Sequence, residues 1–214
     1  MTSFSEQLAI PRGVTALIGS GGKTTLLCRL AQELSARGTV IVTTTTHIFR
    51  PAHLPFAETA ARVEGVICLG TPCENGKLTA PRQSFEELRT LADFVLVEAD
   101  GSARKPLKAH APHEPVIPPQ TARTVTVVGA SGIGGKISQV VHRPERFSAL
   151  SGEAEIATAQ AVARVLEAER LSECVLINQV DTPEALAAAR AVASGLTCPT
   201  AAAALQKGEF LCWF

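Results

Sequence analysis

A glycine-rich stretch near the start of the chain, GSGGKTT (19–25), has the residue types that bind phosphate. Small residues let a backbone approach phosphate oxygens, and the amides of a following helix point at the anion. The lysine is expected to bridge terminal phosphates, and the hydroxyl after it to enter a Mg²⁺ shell. Leu17 stands where a P-loop has an earlier glycine, so the loop is a shortened form. We predict nucleotide binding by Gly19, Ser20, Gly21, Gly22, Lys23, Thr24 and Thr25.

A second motif, LVEADGS (96–102), ends an apolar run in two carboxylates. An acidic residue at the end of a core strand near a phosphate loop can hold Mg²⁺ through water. We therefore predict metal and catalytic roles for Glu98 and Asp100, with Lys23 as catalytic partner and Thr24 as metal ligand. The alternative is a pair of solvent-facing acids at a strand end.

A third motif, INQVD (177–181), resembles the N-K-x-D guanine reader. Asn178 and Asp181 match it, whereas Gln179 replaces the lysine that lies along the base. We predict that Asn178 and Asp181 contact the nucleotide base, which leaves GTP and ATP both open. The alternative is a strand-to-helix turn with Asp181 near a helix cap at Thr182.

Other polar residues lie beside these motifs. The stretch VTTTTHI (42–48) ends a strand, so its threonines and His47 are expected to face a site at the carboxyl ends of the strands. His110 and His113 form an H-x-x-H pair that is incomplete as a metal site, and His142 lies further on. Arg104 and Arg143 are either charge-stabilising arginines or solvated surface charges.

The elements that position these motifs alternate along the chain. Apolar runs predict strands at 14–18, 39–46, 65–70, 93–100, 124–130 and 173–178. Caps and apolar faces predict helices that begin near 23, at 84, at 151 and at 182, the third running to Glu169. The alternation favours a parallel sheet. We predict one α/β, P-loop NTPase-like domain over 1–214, with a mainly parallel sheet and helices on both faces.

Composition narrows the class of protein. The 214 residues include 20 Lys plus Arg and 20 Asp plus Glu, a balance that argues against a nucleic-acid binder. No apolar run is long enough to span a membrane, and the first residues do not resemble a secretory signal. Six cysteines without a CxxC pair favour reduced thiols in a cytoplasmic protein, with Cys68 and Cys73 as an alternative metal or redox pair. The oligomeric state is left open.

The order of the motifs resembles that of the YqeC-like proteins, known as accessory proteins of selenium-dependent hydroxylases. The resemblance includes the phosphate loop, VTTTTHI, LVEADGS with a following PLKA, HEPVIP, VVG and VHRPE, and it extends over about residues 13–181. It implies a role in maturing molybdenum hydroxylases that carry a labile selenium. It also implies that Lys108, His113, Glu114 and His142 line the site. The chain departs from the family at two places. The segment 129–139 replaces the usual G-x-D-x-x-G-K, and Gln179 stands where a lysine is common.

These motifs favour an NTPase that uses GTP or ATP with Mg²⁺ and assists the maturation of such a hydroxylase. Two alternatives stay open. One is an ATP-dependent kinase or ligase whose small-molecule acceptor is held by segment 104–114. The other is a non-hydrolysing, nucleotide-gated protein whose C-terminal FLCWF (210–214) docks on a partner, unless that segment is a last strand tucked into the core.

Overall fold

The computed structural model describes residues 3–214. Its helices are α1 (Phe4–Gln7), α2 (Lys23–Leu34), α3 (Phe85–Leu91), α4 (Ile137–Val140), α5 (Pro144–Ser151), α6 (Ala159–Glu169) and α7 (Pro183–Ala193). Its strands are β1 (Gly13–Gly19), β2 (Val40–Thr44), β3 (Ile48–Phe49), β4 (Phe56–Ala57), β5 (Val66–Leu69), β6 (Thr71–Pro72), β7 (Lys77–Thr79), β8 (Phe94–Glu98), β9 (Leu107–Lys108), β10 (Thr121–Gly129), β11 (Val141–His142), β12 (Cys174–Asn178), β13 (Thr200–Ala204) and β14 (Glu209–Trp213). The fold is α/β, with mainly parallel strands and flanking helices.

The chain forms two compact units. The first consists of the residues up to Ile18, Thr24–Gly101 and Val116–Thr124. The second consists of Gly19–Lys23, Ser102–Pro115 and Val125–Phe214. The prediction of one P-loop NTPase-like domain over the whole chain stays a prediction.

In the first unit, parallel strands lie in the order β4-β5-β2-β8-β1. Strands β2 and β8 are buried along their whole length, as expected for β-branched and aliphatic runs covered on both faces. Glu98, the last residue of β8, lies in register with Leu17 on one side and Thr44 on the other. The register therefore places a carboxylate and a threonine together at the carboxyl ends of two strands.

In the second unit, β10, β12 and β13 are parallel, and β14 pairs with β13 in the antiparallel sense. Apolar side chains of these strands, such as Val175 and Ile177, pack with those of α6, such as Val162 and Val165. The hydrophobic core thus holds β12 in place, and its carboxyl end carries Asn178 at the edge where functional residues collect in open α/β sheets.

The predicted strands are all present, and so are three of the predicted helices. Helix α3 begins with the predicted capping box of Ser84 and Glu87, and α7 begins with the predicted Thr182 cap. Among the elements that carry too little pattern to be predicted are α1, α4, and the small sheet of β3, β7 and β6. The Pro- and His-rich segment 101–119 contains no helix, as expected.

The prediction of one helix from a Ser151 cap to Glu169 is wrong. Ser151 is instead the last residue of α5, and Gly152 follows in the left-handed region with φ of 73° as its C-cap. Helix α6 begins only at Ala159, where the Thr158 hydroxyl accepts a hydrogen bond from the amide of Ala161. Glycine ends a helix at little cost in this conformation, so the local stop signal outweighed the acidic residues that suggested a start.

The C-terminal segment is a strand, as one of the two interpretations held, but it is not tucked into the core. Strand β14 alternates between exposed and half-buried residues. Leu211, Trp213 and Phe214 are 39%, 38% and 39% exposed. No helix within residues 3–214 combines the length and the apolar character that a membrane crossing requires.

Candidate functional site

The glycine-rich loop, residues 19–23, lies in the second unit and continues β1. Gly21 and Gly22 have φ of +85° and +136°, in the region that favours glycine. A Cβ atom at Gly21 would lie 2.4 Å from the backbone of Gly129, and one at Gly22 would lie 2.3 Å from Nδ2 of Asn178. Neither position has room for a side chain. The loop therefore keeps the bare backbone that close approach to a phosphate requires.

Hydrogen bonds fix this loop from two directions. The Ser20 amide donates to the carbonyl of Val127 at 2.8 Å, and the Ser20 hydroxyl donates to the carbonyl of Lys105 at 2.9 Å. Sequence reasoning missed both acceptors, because they act through carbonyl groups that every residue has. The side chain of Lys23 is 3% exposed and donates from Nζ to the carbonyl of Gly19 at 2.7 Å. Its ammonium group is thus folded back over its own loop.

Asn178 holds the loop from the end of β12. Its Nδ2 donates to the carbonyl of Gly21 at 2.7 Å, and its Oδ1 accepts from the amide of Leu205 at 3.0 Å. The residue is 4% exposed. Both ends of the amide group are therefore committed to backbone groups of the protein, so in this arrangement Asn178 positions the loop.

The rest of the INQVD motif lies in a different environment. Gln179 has a left-handed backbone with φ of 65°, and its Oε1 accepts from the hydroxyl of Ser131 at 2.6 Å. The side chain of Asp181 is 49% exposed and forms an ion pair with Lys207 at 3.3 Å. Because Asp181 is open to solvent while Asn178 is enclosed, only the former is accessible to a base.

In the first unit, the residues predicted to bind a metal are partly brought together. The hydroxyl of Thr24 donates to Oε2 of Glu98 at 2.9 Å. Glu98 is 7% exposed, and Asp100, two residues beyond the end of β8, is fully buried. Hydroxyl and carboxylate oxygens are the ligands that Mg²⁺ takes in proteins, so this donor set fits that ion. Thr25 is exposed.

The polar residues of VTTTTHI lie in two environments, at the end of β2 and just beyond it. Thr43 and Thr44 are fully buried, and the hydroxyl of Thr44 donates to the carbonyl of Glu98 at 2.8 Å. Thr46 donates from its amide to the Thr44 hydroxyl at 3.0 Å, and His47 is exposed. Thr44 therefore supports the backbone at the carboxylate, whereas His47 faces solvent.

A compact ion cluster lies in the second unit, within the segment that the family resemblance singled out. Lys108 Nζ is 2.8 Å from Oε2 of Glu114, and Arg143 Nη2 is 2.9 Å from Oε1 of the same carboxylate. Burial by itself would raise the pKa of Glu114, but the hydrogen bonds and charges of its two cationic partners outweigh it and hold that pKa below its usual value. His142 on β11 pairs in register with Lys108 on β9, whereas His113 is exposed.

His110 belongs to another buried pair. Its Nδ1 donates to Oε2 of Glu169 at 2.7 Å, and its amide donates to Oε1 at 2.7 Å. Residues 3–214 contain no group of three or more His, Cys, Asp and Glu side chains that could hold a metal, so neither H-x-x-H nor Cys68 with Cys73 is part of such a group. All six cysteines are free thiols, and Cys68 and Cys174 are core residues as predicted. Burial raises the pKa of Cys68 to about 11.

Residues 15–145 match the YqeC protein family. The matched range is more than half of the chain and contains the loop, Glu98 and the ion cluster around Glu114. The chain belongs to the YqeC family.

One relative in this family is the uncharacterized protein YqeC of Escherichia coli (strain K12). It is 36% identical over 165 residues, which cover 69% of this chain and 64% of the relative. The match therefore spans less than two thirds of the relative's length. Asn178 and Asp181 lie beyond the range that the YqeC family matches, so that match does not extend to the INQVD motif.

Proposed function

We propose that this YqeC-family chain binds a nucleoside triphosphate, GTP or ATP, with Mg²⁺ and hydrolyses it. The observation that carries the proposal is the loop 19–23, whose glycines have no room for a Cβ atom and which leads into α2, a helix of 12 residues. Such a bare backbone before a helix N-terminus favours anions, because its amides and the helix dipole both attract negative charge.

Each predicted site residue has a distinct role in this proposal. Lys23 is a point charge that swings from the carbonyl of Gly19 to the terminal phosphates. Thr24, the next residue in the chain, would hold Mg²⁺ together with Glu98, and Asp100 would complete the acidic set. When bound, Mg²⁺ neutralises charge that develops on the transferred phosphoryl group. Asn178 keeps the loop in its binding conformation.

The family resemblance extends the proposal to a biological role. We propose that nucleotide turnover assists the maturation of a selenium-dependent molybdenum hydroxylase. The test is co-production of such a hydroxylase with the wild-type chain or with Lys23→Ala, followed by assay of the purified hydroxylase. We expect lower hydroxylase activity with the variant, and equal activities would contradict the role while leaving nucleotide binding intact.

Nucleotide binding is tested by thermal shift with GTP, ATP and CTP in the presence and absence of Mg²⁺. A ligand at about 100 times its Kd adds about 2.7 kcal/mol to the free energy of unfolding. For a chain of this size that is a rise in Tm of roughly 5–10 °C. We expect Lys23→Ala to lose the rise and Lys136→Ala, at an exposed lysine in the described chain, to keep it. No rise with GTP or ATP for the wild type would overturn the proposal.

Release of inorganic phosphate then separates hydrolysis from its two alternatives. Steady release from GTP or ATP alone supports the NTPase. Release that requires an added small molecule supports a transferase acting on an acceptor near segment 104–114. Binding without any release supports a nucleotide-gated binding protein. Glu98→Gln keeps an acceptor for the Thr24 hydroxyl but removes a charge, so we expect it to lower Mg²⁺-dependent release more than nucleotide binding.

A further inference from the structure

A cavity of about 160 Å³ lies in the second unit, and the residues that line it do not include the loop 19–23. It opens beside the start of β12, where Ser172 and Val175 line it, whereas Asn178 braces the loop at the other end of the same strand. Adjacent strand residues are about 3.3 Å apart, so Val175 and Asn178 are separated by roughly 10 Å along β12. A ligand in this cavity would therefore contact residues other than those of the loop.

The size and lining of the cavity suit a small organic molecule. A cavity of about 150 Å³ is large enough for benzene in another protein. Leu166, Leu171 and Val175 supply apolar lining, and the half-buried Cys198 lines the cavity as well. Burial raises the pKa of Cys198, so the thiol is neutral near pH 7 and adds to the apolar lining.

Charge at the cavity favours a cationic or hydrogen-bond-donating group. Two carboxylates, Glu167 and Glu169, line it together with one arginine, Arg170. Arg170 is bound to Glu167, at 3.1 Å from Nε and 3.0 Å from Nη2. Glu169 instead accepts a hydrogen bond from the amide of His110 and lies 2.7 Å from its Nδ1, and the Glu169 side chain is 8% exposed. The C-terminal end of α6, which ends at Glu169, adds partial negative charge.

We propose that this cavity is a binding site for a small amine with an apolar body, whose ammonium group is received by Glu169. The apolar part would lie against Leu166, Leu171 and Val175. A carboxylate oxygen has two lone pairs, so Glu169 can accept from the amine while it keeps its bonds to His110. The site does not depend on nucleotide binding.

Three probes of nearly equal shape test the charge: benzylamine, benzyl alcohol and benzoate, each titrated into the full chain and followed by calorimetry. We expect affinity to fall in that order, with benzylamine at least about tenfold tighter than benzoate, because reversing the charge next to Glu169 changes attraction into repulsion. Equal affinity for benzylamine and benzoate would overturn the proposal, and so would the absence of binding by all three.

Variants then assign the binding to this cavity. Cys198→Phe fills the cavity and is expected to abolish benzylamine binding, whereas Cys212→Phe, at a half-buried cysteine outside the lining, is expected to keep it. Glu169→Gln keeps the shape and removes the charge, so we expect it to lower benzylamine affinity about tenfold and to leave benzyl alcohol unchanged. Circular dichroism confirms that each variant is folded. Benzylamine binding that survives Cys198→Phe would contradict the site.

Discussion

The two ends of one short segment, the Asn178 region and the Asp181 region, show how differently two residues of one motif can be used. Asn178 is 4% exposed and binds the backbone at Gly21 and Leu205. Asp181, three residues later, is half exposed and forms a solvent-exposed ion pair with Lys207 at 3.3 Å. A buried polar group that loses its partners costs far more than a solvated one. The motif therefore combines a buried residue that holds the backbone with a solvent-exposed residue that a ligand can reach.

The largest expected effect is at the loop that Asn178 braces. Gly21→Ala places a Cβ atom 2.4 Å from the backbone of Gly129 on a residue with φ of +85°. We expect it to lower the free energy of unfolding by about 3 kcal/mol or more, from backbone strain and the clash together. Urea unfolding measures the loss.

Gly134→Ala is the matched control for this variant. Gly134 has nearly the same φ of +83°, but a Cβ atom there meets nothing within 4 Å. We therefore expect Gly134→Ala to lower the free energy of unfolding only by the cost of the left-handed backbone, about 1 kcal/mol. Equal losses for the two variants would mean that the close approach at Gly21 contributes nothing.

Asn178→Ala tests the enclosed end of the motif directly. It leaves the carbonyl of Gly21 and the amide of Leu205 without their partner, so we expect a loss of about 2–4 kcal/mol in the free energy of unfolding. Asn178→Asp keeps the acceptor for Leu205 but sets a carboxylate oxygen against the carbonyl of Gly21. We expect the aspartate variant to lose nucleotide binding along with stability. An unchanged free energy of unfolding for both variants would show that the Asn178 side chain does not hold the loop.

Glu114 is an intermediate case, a largely buried carboxylate that forms ion pairs with Lys108 and Arg143. Its lowered pKa means that it contributes stability above the usual pKa of a glutamate, about 4.3, and that this contribution is lost as the pH falls through its folded-state pKa. We expect Glu114→Gln to cost about 1–2 kcal/mol at pH 7 and to flatten the fall in stability between about pH 5 and pH 3.

Urea unfolding at several pH values, with Glu87→Gln as control, checks this expectation. Glu87 also has a lowered pKa, set by the Ser84 hydroxyl and amide, but it is fully exposed and belongs to a helix cap. The pH dependence should therefore change less in the control. If both variants reduce the pH dependence of the free energy of unfolding equally, the cluster of Lys108, Glu114 and Arg143 does not contribute more than an exposed helix cap to stability at low pH.

The smallest expected effect is that of Asp181→Ala on stability. An exposed ion pair contributes between zero and about 1 kcal/mol to the free energy of unfolding, so we expect the variant to lower it by less than that. Its effect on ligands is the informative measurement. If Asp181 reads guanine, the thermal shift with GTP falls while that with ATP does not. Equal falls for both nucleotides, or none, would remove Asp181 from base selection.

Much of the fold follows from local patterns. Apolar runs predicted strands such as β8 and β12, and cap residues such as Ser84 and Thr182 predicted where two helices begin. The helix predicted to start at Ser151 failed because Gly152 and Thr158 lie in a stretch where two sets of local signals compete. Contacts with the rest of the fold decide which of these start and stop signals is used, and a single sequence does not show those contacts.

The sequence by itself determined which residues have chemistry to offer, namely a bare glycine loop with Lys23, carboxylates at a strand end, and an Asn and an Asp after a late strand. Side-chain type and spacing are local properties, which a chain carries before it folds. Only the tertiary structure decided what each one touches. Thr24 meets Glu98 across 74 residues of chain, and Asn178 meets Gly21 across 157. Such contacts depend on strand order and register, which are set by packing of the whole core.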